Sequence, residues 1–459
     1  MEAGTEQSKE ESSEDFNIRK SSSSSSVDED ERKLLAGSYW LVRILFIRSF
    51  SAIYFVAFLI ALYQNKQLLG RNGLLPIHLY LQNIQKNIGS ESSWKLMSFV
   101  PTLFWWVPEE YIDISLDSMA TVGLVVSGTM VFLGAGNVIM FFILWGLYQS
   151  LSNVGQRWYS FGWESQLLEM GFLAMFLSPV LSLSQFPRHT PTSWTNVWGN
   201  RWMIFRIMIG AGLIKMRGDS CWRDLTCMNY HYEVCAFCVH YYYQYCPPKG
   251  YYIRKVVSIS LGLLLAYLSI PVVQNLLSSR QQMNTSFEPL RIINTYGAFG
   301  SVTKERTEVI IEGTYDFNFG KNGEGADWEE IEFNCKPGNV SRRPCIISPY
   351  HYRLDWLMWF AAFQSYQHNP WLLHFCAKLL AGDPSLNSLI AHNPFKEKPP
   401  NFVRALHYQY KYTKIGSKES KRGQWWKRKK KGVYLPIINI DSLKDIMSGQ
   451  GWKWYKDSK

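Results

Sequence analysis

Four sets of side chains have types and spacings that can carry chemistry. Cys235 and Cys238 form a C-x-x-C pair, with His240 and Cys246 close behind. Such thiols exchange disulfides or begin a zinc site. An exchange motif needs a strand before it and a helix after it, and zinc needs a fourth ligand at clear spacing; the flanking residues supply neither. His351 and Asp355 stand four residues apart, where one helix face would join them as an acid–base pair or as a plain structural hydrogen bond. Glu164 and Glu169 interrupt one apolar run, and Arg206 interrupts the next. Charge in hydrocarbon is costly, so these residues either pair, Arg206 with Glu164 or Glu169, or relay protons. No histidine or second acidic cluster continues a path, which favours pairing. Cys335 and Cys345 flank the polar turn Lys336–Pro344. They either close a disulfide, worth about 2–4 kcal/mol in an oxidising compartment, or stay free thiols.

The sequence holds no G-x-S-x-G elbow, no phosphate-binding loop and no H-E-x-x-H. It nominates no catalytic, cofactor-binding or metal-binding set, and no enzyme is expected from these residues. The alternative is a membrane-embedded lipid-modifying transferase using Glu164, Glu169 or the His351/Asp355 pair. A thiol-exchange helper acting through Cys235 and Cys238 is a weaker one.

The elements that must position these residues differ along the chain. Residues 1–35 are polar, with the run Ser21–Ser26, and are expected to be a disordered tail. No early apolar stretch marks a signal peptide. Six apolar stretches follow: Ile44–Tyr63, Met119–Gly134, Val138–Leu151, Gly162–Leu183, Trp202–Lys215 and Val256–Leu277. A spanning helix needs roughly 20 apolar residues, so residues 36–280 read as a multi-pass α-helical membrane domain. Gly134 to Asn137 can turn a hairpin between two stretches. Arg32, Lys33, Arg43 and Arg48 set the tail in the cytosol by the positive-inside rule. Six crossings would then return the C-terminal part to the cytosol.

Residues 281–459 change character and read as a C-terminal, β-rich α+β soluble domain. Leu290–Phe299, Thr307–Tyr315, Trp328–Asn334, Val403–Thr413 and Val433–Ile440 have strand composition, and Tyr350–Phe363 and Trp371–Leu380 read as helices. The basic run Lys427–Lys431 reads as a solvated loop between strands. Asn284 and Asn339 open the two Asn-x-Ser/Thr sequons of the chain. Both fall in this domain and lean toward a lumenal, glycosylated location. The net charge of +11 comes without an RNP motif, zinc-finger spacing or basic helix, so no nucleic-acid partner is expected. With 15% aromatic and 19% charged residues, the chain is not a mostly disordered one.

Long, unusual strings carry a family resemblance. They are Gly162–Glu169, Arg201–Glu233, Ile292–Arg306 (IINTYGAFGSVTKER), Ser348–Phe363 (SPYHYRLDWLMWFAAF), His392–Phe395 and the Trp425–Trp426 strand. Together, from about Ala36 to Trp454, the chain resembles the lipase maturation factors, and its second half is nearer to the factor 1 branch than to the factor 2 branch. The resemblance implies a multi-pass endoplasmic-reticulum membrane protein with a cytosolic N-terminus and a lumenal C-terminal domain. It implies a role in folding and dimer assembly of secreted lipases such as lipoprotein lipase and hepatic lipase, with no cofactor. Exposed aromatics of the lumenal domain would shield apolar faces of the client. The candidates are Trp356, Trp359, Trp371, Trp425 and Trp426, most of them expected in the core. One departure is large. After Glu233 the family continues into further spans, whereas this chain carries Val234–Tyr252 without a counterpart and rejoins near Val256. The C-x-x-C lies in that segment and belongs to no family pattern.

Overall fold

The apolar runs become helices, and their ends follow the local chemistry. The computed structural model describes residues 39–90, 92–185, 192–224, 226–227, 251–297, 305–320, 323–346 and 348–452. Its first half holds α1 (Trp40–Leu69), α2 (Ile77–Ile88), α3 (Ser93–Phe99), α4 (Ile112–Leu133), α5 (Val138–Val154), α6 (Gly162–Leu177), α7 (Trp194–Arg217) and α8 (Tyr251–Leu277). Gly134, at φ 62°, ends α4 in the left-handed region, where a Cβ would also strike the Arg48 guanidinium. Asn137 then caps α5 by accepting from the Met140 amide at 2.9 Å. The glycine and the asparagine together make the hairpin. Helix α6 stops at Leu177, short of the expected Leu183, because Pro179 pushes Ser178 to an extended conformation.

Six spanning stretches were expected, and three helices have the length and apolar composition for it: Trp40–Leu69, Glu109–Leu133 and Tyr252–Leu277. α5 and α6, at 17 and 16 residues, are shorter than a full hydrocarbon core requires. α7 has 24 residues but carries Arg201, Arg206, Lys215 and Arg217.

Alternation of direction also breaks. Ser193, just before α7, meets Ser258 of α8 at 3.2 Å, and Trp202 donates to Ser269 at 2.9 Å. Gln281, just beyond α8, donates to the Gly210 carbonyl at 3.2 Å. α7 and α8 therefore run parallel. Tyr39 packs edge-on to Trp194 at one end of the bundle, while Gln64, near the other end of α1, meets the backbone of His351 and Arg353. The start of α1 and the second half of the chain thus sit at opposite ends of the helices.

That second half is built on an antiparallel sheet of order β2-β1-β5-β6. The strands are β1 (Arg306–Thr314), β2 (Glu329–Glu330), β5 (Phe402–Tyr412) and β6 (Trp426–Ile438); β3 (Glu332–Phe333) and β4 (Ile390–His392) pair separately. β1 and β5 pair from Arg306↔Tyr410 to Thr314↔Phe402. Helices α9 (Arg353–Ala361) and α10 (Pro370–Ala381) pack against the sheet and the bundle, and α11 (Lys444–Gly449) closes the described chain. One hydrophobic core runs from Leu69, Val154 and Trp158 through Leu354, Trp371 and Phe375 to Val403 and Leu435.

Two expected elements differ. Lys427–Lys431 lies inside β6 and is no loop: β6 is an edge strand, where lysines discourage pairing with other chains. Leu290–Phe299 forms no strand over its described part; a single bridge, Ser286↔Asn294, is present there. Buried Ile292 and Ile293 pack on α8 residues instead of on a sheet.

Candidate functional site

Helix α6 carries two buried carboxylates, and each one fastens a different piece of the second half. Glu164 stands in its first turn. Arg353, in the first turn of α9, brings Nη1 to 2.6 Å from Glu164 Oε1. The Tyr148 hydroxyl donates to Glu164 Oε2, and Trp163 Nε1 donates to Oε1 at 3.1 Å. Arg353 also donates to the Trp158 carbonyl at 2.7 Å, and its guanidinium lies 3.6 Å from the Tyr159 ring centroid. Its amide donates to Gln64 Oε1 at 3.0 Å, and Gln64 Nε2 donates to the His351 carbonyl at 3.0 Å. Arg353 therefore ties α9 to α6 and the Gln156–Tyr159 turn through its guanidinium and to α1 through its amide, while Tyr148 brings α5 to the same carboxylate. Burial works to lower the Arg353 pKa, but the Glu164 carboxylate, with Tyr159 and Tyr148 beside it, holds the group above its ordinary value.

Glu169 lies further along α6 and takes Arg206 of α7 as its ion-pair partner. Tyr296 donates its hydroxyl to Glu169 Oε2 at 2.7 Å, and Asn294 Nδ2 donates to the same oxygen at 3.1 Å. Arg206 reaches on to the Asn294 carbonyl. Sequence reasoning left Arg206 open to either glutamate. The structure pairs it with Glu169 and gives Glu164 a partner 189 residues distant. The signal was present but unread: Arg353 is the one arginine or lysine in the aromatic stretch Tyr350–Phe363. Each carboxylate is surrounded by donors, which is the arrangement of a clamp. Glu164 and Arg353 are both nearly inaccessible to solvent.

The His351/Asp355 pair does not form. His351 precedes α9, whose N-cap is Tyr352, so the two residues do not share a helix face. The His351 ring packs between Trp163, at 5.2 Å, and Trp356, at 5.5 Å, and neither ring nitrogen has a hydrogen-bond partner. Burial, helped by the Arg353 charge, presses its pKa down to about 4. Asp355 turns away and accepts from the Cys335 amide and, at 3.0 Å, the Lys336 amide. Burial raises its pKa in spite of those donors. The transferase alternative thus loses its acid–base pair.

Cys335 and Cys345 are bonded, with Cα atoms 5.5 Å apart. Their loop docks on the sheet: Tyr410 donates to the Gly338 carbonyl at 2.7 Å, and the Val340 carbonyl accepts from the Trp425 and Trp426 amides at 2.9 and 3.0 Å. Asn339 is exposed at the loop's tip. Cys221 and Cys227 form a second disulfide beyond the end of α7. Cys376 is a free cysteine, buried, with its pKa pushed up to about 12 by burial. Cys235 and Cys238 lie outside the described residues. No group of three or more metal-ligating side chains occurs among the described residues.

The candidate contact tryptophans divide. Trp371 and Trp426 are core residues, 0% and 4% exposed, and cannot meet a partner without unfolding. Trp356 and Trp359 are half-buried, and Trp425 is 45% exposed. Asn284 is exposed with φ 52°, and its Oδ1 accepts from the Gly297 amide at 3.3 Å.

Residues 41–290 match the lipase maturation factor transmembrane domain, and residues 292–436 match the lipase maturation factor C-terminal domain. This chain belongs to the lipase maturation factor family. It is 42% identical to lipase maturation factor 1 of Bos taurus over 524 positions, covering 92% of this chain and 93% of the relative. It is 43% identical to the Homo sapiens factor 1, over 91% of each chain, and 24% identical to the Homo sapiens lipase maturation factor 2, over 88% of this chain and 84% of that one. The 524 aligned positions exceed the 459 residues here, so the factor 1 relative carries residues with no counterpart in this chain. No solved structure matches this chain. The family boundary passes near Arg291, so the Glu164–Arg353 pair joins the transmembrane domain to the C-terminal domain of this maturation factor. Family membership and the apolar helices support a membrane location and a role in lipase maturation.

Proposed function

We propose that this chain is a multi-pass endoplasmic-reticulum membrane factor that assists folding and dimer assembly of secreted lipases such as lipoprotein lipase and hepatic lipase, with residues 1–35 in the cytosol and residues 281–459 in the lumen. Its two partners are the lipid bilayer and the lipase. The observation that carries the reading, beside family membership, is the distribution of oxidisable and glycosylatable groups. Both disulfides and both sequons occupy the end of the bundle next to the C-terminal domain, opposite the start of α1. Disulfides persist in an oxidising compartment. The parallel course of α7 and α8 supports opposite sides for the tail and the C-terminal domain. We place the residues missing relative to factor 1 after Glu233, where the resemblance breaks.

In this reading the C-terminal domain offers a surface to partly folded lipase, and Trp425, beside the disulfide loop, is the candidate contact open to solvent. The chain has no reaction of its own. The test is expression in cells lacking endogenous maturation factor, with secreted lipase activity and glycosidase sensitivity of this chain read together. Restored lipase activity with a glycosidase-sensitive chain is expected. A chain that is cytosolic by protease protection and leaves lipase inactive would overturn the proposal.

A further inference from the structure

Helix α9 is inverted relative to an ordinary surface helix. Its two charged residues, Arg353 and Asp355, are 3% and 5% exposed and turned inward. Every residue it turns outward is aromatic: Trp356, Trp359 and Phe360, with Phe363 following at the helix end. A helix in water sends charge out and apolar groups in. Here one contiguous ridge of rings stays partly uncovered. Trp356 contacts Trp359 at 5.1 Å and Phe360 at 5.7 Å, and Trp359 contacts Phe363 at 5.1 Å. Phe360 and Phe363 are 37% and 40% exposed.

The ridge is continuous with the bundle. Trp163, in the first turn of α6 and 42% exposed, lies 5.4 Å from Trp356. That turn sits at the level where α1 changes from apolar to polar. Tyr54 of α1 donates to the Leu167 carbonyl, and Gln64, two turns or more further on, meets Tyr350 and His351. Between them Tyr63, 62% exposed, is the last aromatic before Gln64, Asn65 and Lys66. The rings therefore gather at the depth where a membrane's hydrocarbon gives way to its headgroups, the depth that Trp and Tyr favour. Trp94 and Trp106 also meet edge-on, with ring centroids 5.1 Å apart, and are 76% and 43% exposed.

We propose that the aromatic ridge of α9 lies in the phospholipid interface of the membrane that holds the bundle, so that the C-terminal domain rests on the bilayer. This rests on the bundle being membrane-embedded, as the family match supports. The occupant is lipid because the ridge continues a transmembrane surface, carries no outward charge and, beyond its contacts with Phe161, Trp163 and His351, keeps its rings partly exposed. The domain is then held twice, by the Glu164–Arg353 pair inside and by lipid outside. The client-contact role would pass from Trp356 and Trp359 to surfaces facing away from the membrane.

The experiment uses the full chain in cells fed alkyne-choline, with p-benzoylphenylalanine replacing Phe360 or Phe363 one at a time. Ile53, 46% exposed on α1, is the lipid-facing control, and Ile415, fully exposed in the β5–β6 connection, is the aqueous control. After irradiation, choline-lipid adducts at Phe360 and Phe363 like those at Ile53, and none at Ile415, are expected. A covalent adduct with lipase at these positions overturns the proposal, as does absence of lipid adducts while Ile53 labels. Labelling of Ile53 keeps the bundle's membrane placement separate from the outcome. If the Phe360 replacement does not accumulate, Phe363, outside the helix, decides alone.

Discussion

Glu164 of α6 and Arg353 of α9 meet at 2.6 Å across the boundary between two family domains. Both are buried, so neither can be lost singly without leaving an unpaired charge in a low-dielectric site. The pair explains why a polar residue is tolerated in each element. It also pins α6 to α9 where the shared hydrophobic core crosses from one domain to the other.

Breaking that contact is the first prediction. Arg353→Ala leaves the Glu164 carboxylate facing Tyr148 and Trp163 alone and should cost about 3–5 kcal/mol. The melting temperature of purified protein in detergent should fall, with secreted lipase activity falling alongside. Arg353→Lys should recover little, because an ammonium cannot lie flat on Tyr159 while reaching Trp158 and Glu164. Full recovery by lysine would refute the clamp geometry.

Removing the Cys335–Cys345 bridge should loosen the loop that supplies two amides to Asp355. Cys335→Ser with Cys345→Ser should destabilise by about 2–4 kcal/mol. Limited trypsin digestion should then cut after Arg342, which the intact loop holds against the Asn334 carbonyl; the neighbouring Arg343–Pro344 bond resists trypsin. Unchanged digestion would mean that the loop is held by its sheet contacts alone.

The two sequons should differ. Asn339 sits exposed on the disulfide loop, whereas the Asn284 carboxamide is engaged by Gly297 and lies against Gly162. Asn339→Gln should abolish most of the glycosidase-sensitive shift, and Asn284→Gln should change it little. Gel mobility before and after glycosidase treatment reads both.

Two tryptophans separate stability from client contact. Trp371→Ala empties a fully buried site beside Trp158 and should cost about 3–5 kcal/mol. Trp425→Ala removes an exposed ring and should change stability by less than about 1 kcal/mol. Lost lipase activation by Trp425→Ala at an unchanged melting temperature would mark a client contact, and retained activation would exclude this ring.

Acid should weaken the fold through His351 and His374. Burial lowers both to about 4 from 6.5; His374 is also stacked on Trp452 at 4.5 Å, with Nδ1 3.0 Å from the Leu74 carbonyl. Depressed histidines mean that the unfolded chain binds more protons, so their contribution is whole above pH 6.5 and is lost as pH falls toward 4. Melting temperatures across that window should decline, and His374→Gln should flatten the decline. A profile that ignores this substitution would show that His374 is protonated without cost.

Much of this protein was legible in its residues. Apolar runs set α1, α4 and α8, Gly134 and Asn137 set the hairpin, and period-two tyrosines set β5, because helix ends and strand faces depend on neighbours within a few positions. The strings shared with the family pointed to its role. What local pattern could not decide was partnership over distance. A carboxylate in an apolar run announces that it needs a cation, yet Arg206 and Arg353 offer the same charge at very different separations. The choice between them came from which helix faces meet. Likewise His351 and Asp355 satisfied a four-residue rule that holds only inside a helix, and α9 begins between them. Whether a tryptophan is core or surface was also settled only by packing: Trp426 opens β6 opposite Tyr412 and is buried, whereas adjacent Trp425, just before the strand, is exposed.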